Sequence, residues 1–246
     1  MKKLIIMFLF VNFLTFAHSN TIYYLTKIPN LIIHDLTSQN GIKYLKPEKS
    51  FKVGIVENNV ECGVAPEKVI NDNFRTIKKN FNNYKKDFLE KINLRYVVLC
   101  KDLTVSSIKT AGVPNYKVKT LIVNLNFDKR YFERSLHHEL FHMIDDSFDN
   151  LFSDKRWVKL NDPSFKYAKC STCSDKLSLS LIKYTKGFLT EYSMTTPSED
   201  MAEIFSFLMT DGVNITKIAL EDPILSNKID FLKNEIIKID NSFKFN

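Results

Sequence analysis

Strongly hydrated side chains stand inside an apolar stretch of this 246-residue chain, Leu136-His137-His138-Glu139-Leu140-Phe141-His142-Met143-Ile144. A segment this apolar belongs in a core. Imidazoles and carboxylates are costly there unless hydrogen bonds or a metal ion satisfy them. His138, Glu139 and His142 form the pattern H-E-x-x-H. On a helix the two histidines lie one turn apart on one face and can both reach a tetrahedral Zn2+, with Glu139 beside them as a candidate general base. With 5 His in the chain, composition alone produces such a match about 0.5% of the time, so chance is a poor explanation. His137, off the i, i+4 pair, reads as a structural or substrate-side histidine. Asp145 reads either as an orienter of a ligand histidine or of the helix end, or as a solvated aspartate.

A catalytic zinc takes three protein ligands and a water, so a third ligand must come from elsewhere. One known continuation needs Gly at 145 and His at 148, where this chain has Asp145 and Phe148; another needs G-T-x-x-D, which is absent. A glutamate on a second helix remains. Thr196-Pro197-Ser198-Glu199 has the grammar of a helix start. Glu199 and Glu203 are four apart on that helix, so one can bind the metal while the other supports a ligand histidine from behind.

The rest of the chain bounds the class. Hydrophobic residues make up 44% and include 20 Phe, enough for a packed core, while 6 Gly and 7 Pro exclude collagen-like and linker-rich chains. Met1-Lys2-Lys3, the apolar run Leu4 to Phe16 and Ala17-His18-Ser19 read as a secretory signal peptide over residues 1–19. The run is too short to span a bilayer and no Cys follows it, so no stable membrane anchor is expected after cleavage. A single domain over residues 20–246 is expected, secreted or periplasmic and monomeric, with residues 20–60 a possible N-terminal arm. Without the signal segment the formal charge falls to about +5, and the lysines are scattered without an aromatic-interleaved stripe, so nucleic acid is not an expected partner. Export favours disulfides. Cys62, Cys100, Cys170 and Cys173 permit three pairings; a local Cys170–Cys173 loop would leave Cys62–Cys100 as the long bridge.

Apolar runs at Leu31 to Ile33 and Phe51 to Val56 read as strands or extended arms, and Leu94 to Cys100 and Lys119 to Asn126 as strands. From Pro66 the residues Ile70, Phe74, Ile77, Phe81, Tyr84 and Phe88 predict one long amphipathic helix. Loops and short helices are expected over 147–186. The helix opened by Pro197 is expected to stop at Asp211-Gly212, and a last helix follows from Pro223 on Leu225, Ile229, Leu232 and Ile236.

The stretch His138 to Asp146, followed by Gly187 to Glu203 with Tyr192 seven residues before Glu199-Asp200-Met201-Ala202-Glu203, resembles the secreted bacterial gluzincin metallopeptidases. Among these are the catalytic domain of anthrax lethal factor and the Pro-Pro endopeptidases. In that group an H-E-x-x-H helix is followed by I/V-D, then by a Tyr seven residues before the zinc-binding Glu of an E-x-x-A-E helix. The resemblance spans roughly residues 119 to 210, and Trp157-Val158-Lys159-Leu160-Asn161 is similar to a further signature of a zinc-peptidase subgroup. It implies one Zn2+ per chain held by His138, His142 and Glu199. It further implies Glu139 as general base, Tyr192 as donor to the oxyanion, and Glu203 behind the ligands. The group often has Gly where this chain has Phe141.

The expected architecture is an α+β zincin-like metallopeptidase, a small upper sheet lobe and a helical lower lobe around an active-site cleft. The strand Leu121 to Leu125 is either the edge that pairs with extended substrate or core β-structure. The expected function is a zinc-dependent endopeptidase acting on a peptide or protein substrate. The alternatives are a catalytically inactive zincin-fold peptide-binding protein and an adhesin-like secreted domain whose histidines only pack.

Overall fold

The computed structural model describes residues 31–54, 59–175 and 177–245, so the expected signal segment 1–19 lies outside the described residues. Strands come first: β1 (Leu31–Asp35), β2 (Lys43–Pro47), β3 (Phe51–Val53), β4 (Val60–Gly63), β5 (Tyr96–Val105), β6 (Ile108–Lys109), β7 (Gly112–Asn115) and β8 (Thr120–Asn124). Two helices, α1 (Glu67–Phe81) and α2 (Lys86–Lys91), lie between β4 and β5. Four more follow the sheet: α3 (Phe132–Ser147), α4 (Asp154–Val158), α5 (Pro197–Ala219) and α6 (Pro223–Ile239). The fold is mixed α+β with an open sheet.

The strand β5 organises the sheet. Its first half runs parallel to β2 and β8, and its second half pairs antiparallel with β4 and β6. Val97, Val98, Leu99 and Cys100 are all buried, a continuous apolar run of the kind a strand covered on both faces requires. Alternation divides them. Val97 and Leu99 join Leu121 and Val123 in the main core under α1 and α3, while Val98, Cys100 and Ile122 gather with Val60, Cys62 and Leu103. Partners change near Asp102, which takes a left-handed backbone at φ 53°. Residues 31–53 supply three strands, and Ile42 and Tyr44 lie in the main core.

One expectation is corrected and two gain detail. The long helix from Pro66 is two helices: α1 ends at Phe81, Asn83 and Tyr84 turn back to the carbonyls of Asn80 and Phe81, and α2 restarts at Lys86. Asn82-Asn83 are poor helix formers whose side chains compete with the backbone, yet Phe81, Tyr84 and Phe88 remain buried across the break. The stop expected at Asp211-Gly212 is found as a break, Asp211 leaving helical geometry with φ −150° and ψ 40°, and a second helical stretch with Gly212, Ile215 and Ala219 buried follows it directly to Ala219. Of the two readings of Leu121 to Leu125, core β-structure is the one found: β5 and β7 flank β8, and the outer strand on that side is β7.

The helical lobe is held by α3 against α5. Phe141, where the resembled group often has Gly, is fully buried with its ring 5.2 Å from Phe152 and 5.3 Å from Phe205. Beneath α5, three donors converge on Asp200 Oδ2: Lys228 Nζ of α6 at 2.6 Å, Tyr167 Oη at 2.6 Å and Trp157 Nε1 at 2.8 Å. Lys228 also donates to Gly187 O at 2.7 Å, and both members of the Lys228–Asp200 pair have no exposed side-chain surface. That accounts for the indole and the Lys in an apolar lobe: each is a partner for the buried carboxylate.

Cys62 pairs with Cys100 across 38 residues and Cys170 with Cys173 across 3. Closing the longer loop constrains the unfolded chain, so replacing both Cys62 and Cys100 by Ser should lower stability by about 3–4 kcal/mol in urea titration, and an unchanged midpoint would contradict this. Lys228→Ala should cost about 3–5 kcal/mol by stranding the buried Asp200 charge. A loss of about 1 kcal/mol or less, the scale of an exposed pair, would show that the charge is not confined as described.

Candidate active site

Two helices meet at the site because each is positioned locally. Thr196 caps α5, its Oγ1 accepting the Glu199 N–H at 3.2 Å, and Pro197 occupies the first turn. This places Glu199 at the third helical position, where a capping-box glutamate ordinarily turns back to the cap. Here its carboxylate turns to α3 instead. Glu199 Oε2 lies 2.9 Å from His138 Nε2 and 3.4 Å from His142 Nε2, and the two ring nitrogens are 3.2 Å apart. A tetrahedral ion with bonds of about 2.0–2.1 Å separates its ligand atoms by about 3.3 Å, so this triangle has the dimensions of a zinc site. No other group of three or more His, Cys, Asp or Glu with such spacing occurs among the described residues.

The electrostatics favour a cation at the same place. Burial opposes charge on His138, but hydrogen bonds to Glu199 and Glu203 outweigh it and hold the imidazole up, to about 10. His142 is likewise raised: burial resists, and Glu199 prevails. The Glu199 carboxyl is held well below the usual carboxylate range, its burial overcome by the two histidines. A divalent ion between these groups would answer the field that otherwise recruits protons.

Behind the triangle each histidine has a partner. His138 Nδ1 meets Glu203 Oε1 at 2.9 Å, and Thr190 Oγ1 donates to Glu203 Oε2 at 2.8 Å. His142 Nδ1 faces Ser198 Oγ at 3.3 Å, and Ser198 donates to Asp145 Oδ2 at 2.9 Å. Asp145 therefore reaches His142 through Ser198; burial pushes its carboxyl up to about 6. His137 is buried on the far side of α3 between Tyr84 and Asn80, where burial lowers it to about 3. It packs and does not face the cleft.

Glu139 is buried and its carboxyl is raised by that burial, against the pull of the neighbouring histidines. It receives a hydrogen bond from the backbone of Gly112, the first residue of β7. A Cβ at Gly112 would lie 2.8 Å from Glu139 Cγ and 2.9 Å from Ile122 O, so only glycine lets sheet and motif helix approach this closely. Tyr192 opens the 3-10 turn that leads into α5. Its ring lies 5.9 Å from that of His138, and its phenol is within hydrogen-bonding reach of Glu199 and Ser171.

These groups line one cleft of about 760 Å³. One wall carries Ile108, Lys109, Ala111 and Pro114 from the β6–β7 segment, and the other carries Ser171 and Thr172 from the Cys170–Cys173 loop with Leu179. Gly112, Ser198 and Thr190 were not singled out by the sequence. Of these only Ser198 carried a usable signal, standing beside Glu199 in the helix start.

A family model described as "Putative zinc-binding metallo-peptidase" matches residues 101–235, which include every residue placed around the triangle. No curated protein matches the sequence. A crystal structure described as a "putative zinc-binding metallo-peptidase" from Bacteroides caccae is similar in fold, with a TM-score of 0.54 and 16% identity over 93% of this chain and 87% of its own. The family model covers more than half of the chain and spans both helices of the site, and on that ground the protein belongs to this zinc-binding metallopeptidase family.

Proposed function

We propose that this chain is an exported zinc-dependent endopeptidase of the gluzincin type, with His138, His142 and Glu199 as ligands. The observation that carries the reading is the triangle of two imidazole nitrogens and a carboxylate oxygen at the floor of an open cleft, with Glu139 beside it. The resemblance to the lethal factor catalytic domain and the Pro-Pro endopeptidases supports the same assignment. The signal-like residues 1–19 and the two disulfides support export. No described helix is long and apolar enough to cross a membrane.

Bound zinc would supply Lewis acidity, lowering the pKa of a water to about 7 and polarising the scissile carbonyl. The protein's own groups do the rest. Glu203 accepts the Nδ1 proton of His138 and Ser198 engages Nδ1 of His142, which leaves both Nε2 lone pairs free to ligate. Glu139, kept close by the Gly112 N–H and raised by burial, takes the proton of the attacking water and passes it to the departing amine. The Tyr192 phenol, whose pKa burial drives upward, stays protonated and donates to the carbonyl oxygen as it becomes anionic. An extended substrate would add to the outer strand β7.

The mature protein should carry one zinc per chain by elemental analysis, and His142→Ala should lose most of it; equal zinc in both would contradict the ligand set. Glu139→Ala should keep zinc and fold while kcat on any cleaved peptide falls by about 10²–10⁴. Tyr192→Phe should lower kcat by about 10² with KM nearly unchanged, because the hydroxyl meets charge present mainly in the transition state. A Tyr192→Phe enzyme with full kcat would remove Tyr192 from the mechanism.

A further inference from the structure

Arg134 lies one turn before His138 on α3 and lines the cleft with only 12% of its side chain exposed. Its guanidinium sits 4.1 Å from the Phe207 ring centroid and 5.3 Å from that of Tyr131. One nitrogen, Nη2, makes its polar contacts, donating to Leu179 O at 2.6 Å and lying 3.5 Å from Glu203 Oε2. Nε–H and the two Nη1 hydrogens have no acceptor among the described residues. Glu203 faces Arg134 on the Nη2 side alone, and its oxygens also accept from His138 Nδ1 at 2.9 Å and Thr190 Oγ1 at 2.8 Å, so the Nε–Nη1 edge has no carboxylate of its own among the described residues. These three donors open onto the cleft, where water serves them until a ligand with matching acceptors takes its place.

The remaining lining indicates the sign of that partner. Apart from the His138, Glu139, His142, Glu199 and Glu203 cluster, the charged side chains that line the cleft among the described residues are Lys109 and Arg134, both cationic. A backbone carbonyl would use one donor, whereas a carboxylate offers two acceptor oxygens to the Nε–Nη1 edge together with the opposite charge. One helical turn separates Arg134 from a metal ligand, so the recognised group belongs to a residue flanking the scissile bond. We propose that Arg134 makes this cleft selective for substrates that present a carboxylate, from an Asp or Glu side chain or a chain terminus, beside the bond to be cut. This deepens the endopeptidase reading and rests on it.

The test uses the zinc-loaded mature protein and matched peptides, built on a sequence cleaved from a diverse peptide mixture. The flanking residues on either side are set to Glu, Gln or Leu, and the C-terminus is either free or amidated. At one position wild type should prefer Glu over Gln by about tenfold or more in kcat/KM, a ratio that falls towards one in Arg134→Gln and is intermediate in Arg134→Lys. A preference for the free terminus over the amide, lost in the same way, assigns the carboxylate to a chain end. The ratio within each variant is the readout, so a general loss of turnover does not imitate it. If the variants do not fold, as judged by circular dichroism, the wild-type series alone decides. Efficient cleavage with Glu and Gln equivalent throughout, and acid and amide equivalent, overturns this proposal and leaves the peptidase reading standing. If no peptide in the mixture is cleaved, the peptidase reading fails and this proposal, which rests on it, falls with it.

Discussion

Two imidazoles and three carboxylates meet at the contact between α3 and α5, largely shielded from water, and the rest of the structure is organised around compensating them. Without a metal the carboxylates draw a proton onto the imidazoles, which is why His138 is raised to about 10 although burial opposes it. A divalent cation satisfies the same field without holding a histidine nitrogen in its protonated form. The packing behind α3 is correspondingly apolar and tight, with Phe141 wedged between Phe152 and Phe205. Movement of one helix along the other would open a triangle whose sides are 2.9–3.4 Å, so the precision of the site is a property of this interface.

The start of α5 bears most of that load. Thr196 fixes where the helix begins, Glu199 faces α3, and the next residue, Asp200, points into the opposite side of the lobe to meet Lys228, Tyr167 and Trp157. Consecutive residues thus tie one helical turn to the site above and to α6 below. From the sheet side, Gly112 brings β7 into contact with Glu139, so the general-base candidate and the strand available to an extended peptide are set by a single close approach.

Much of the helical lobe was legible in the sequence because its signals are local. Periodicity and caps locate α3, the start of α5 and all of α6, and the i, i+4 pairs His138/His142 and Glu199/Glu203 name the residues that converge. The sheet was harder to read. Short strands such as β2 and β4 acquire their identity from β5, and β7, Gly112-Val113-Pro114-Asn115, carries the two residues that argue most strongly against a strand; an outer position tolerates them. The stripe from Ile70 to Phe88 kept its burial while the helix beneath it broke at Asn82-Asn83, since hydrophobic spacing reports which face is buried and not whether the backbone is continuous. Arg134 could not be found this way, because Phe132-Glu133-Arg134-Ser135 reads as an ordinary solvated first turn until Phe207, Leu179 and Glu203 are placed around it.

The central claim is that His138, His142 and Glu199 form one metal centre at the floor of the cleft. Anomalous diffraction from crystals of the mature protein, collected on both sides of the zinc absorption edge, addresses it directly. The account predicts a single strong zinc peak within bonding distance of His138 Nε2, His142 Nε2 and the Glu199 carboxylate, with Glu139 close by but outside the coordination sphere. A zinc peak elsewhere on the chain, or one coordinated through Glu203 in place of Glu199, would contradict it.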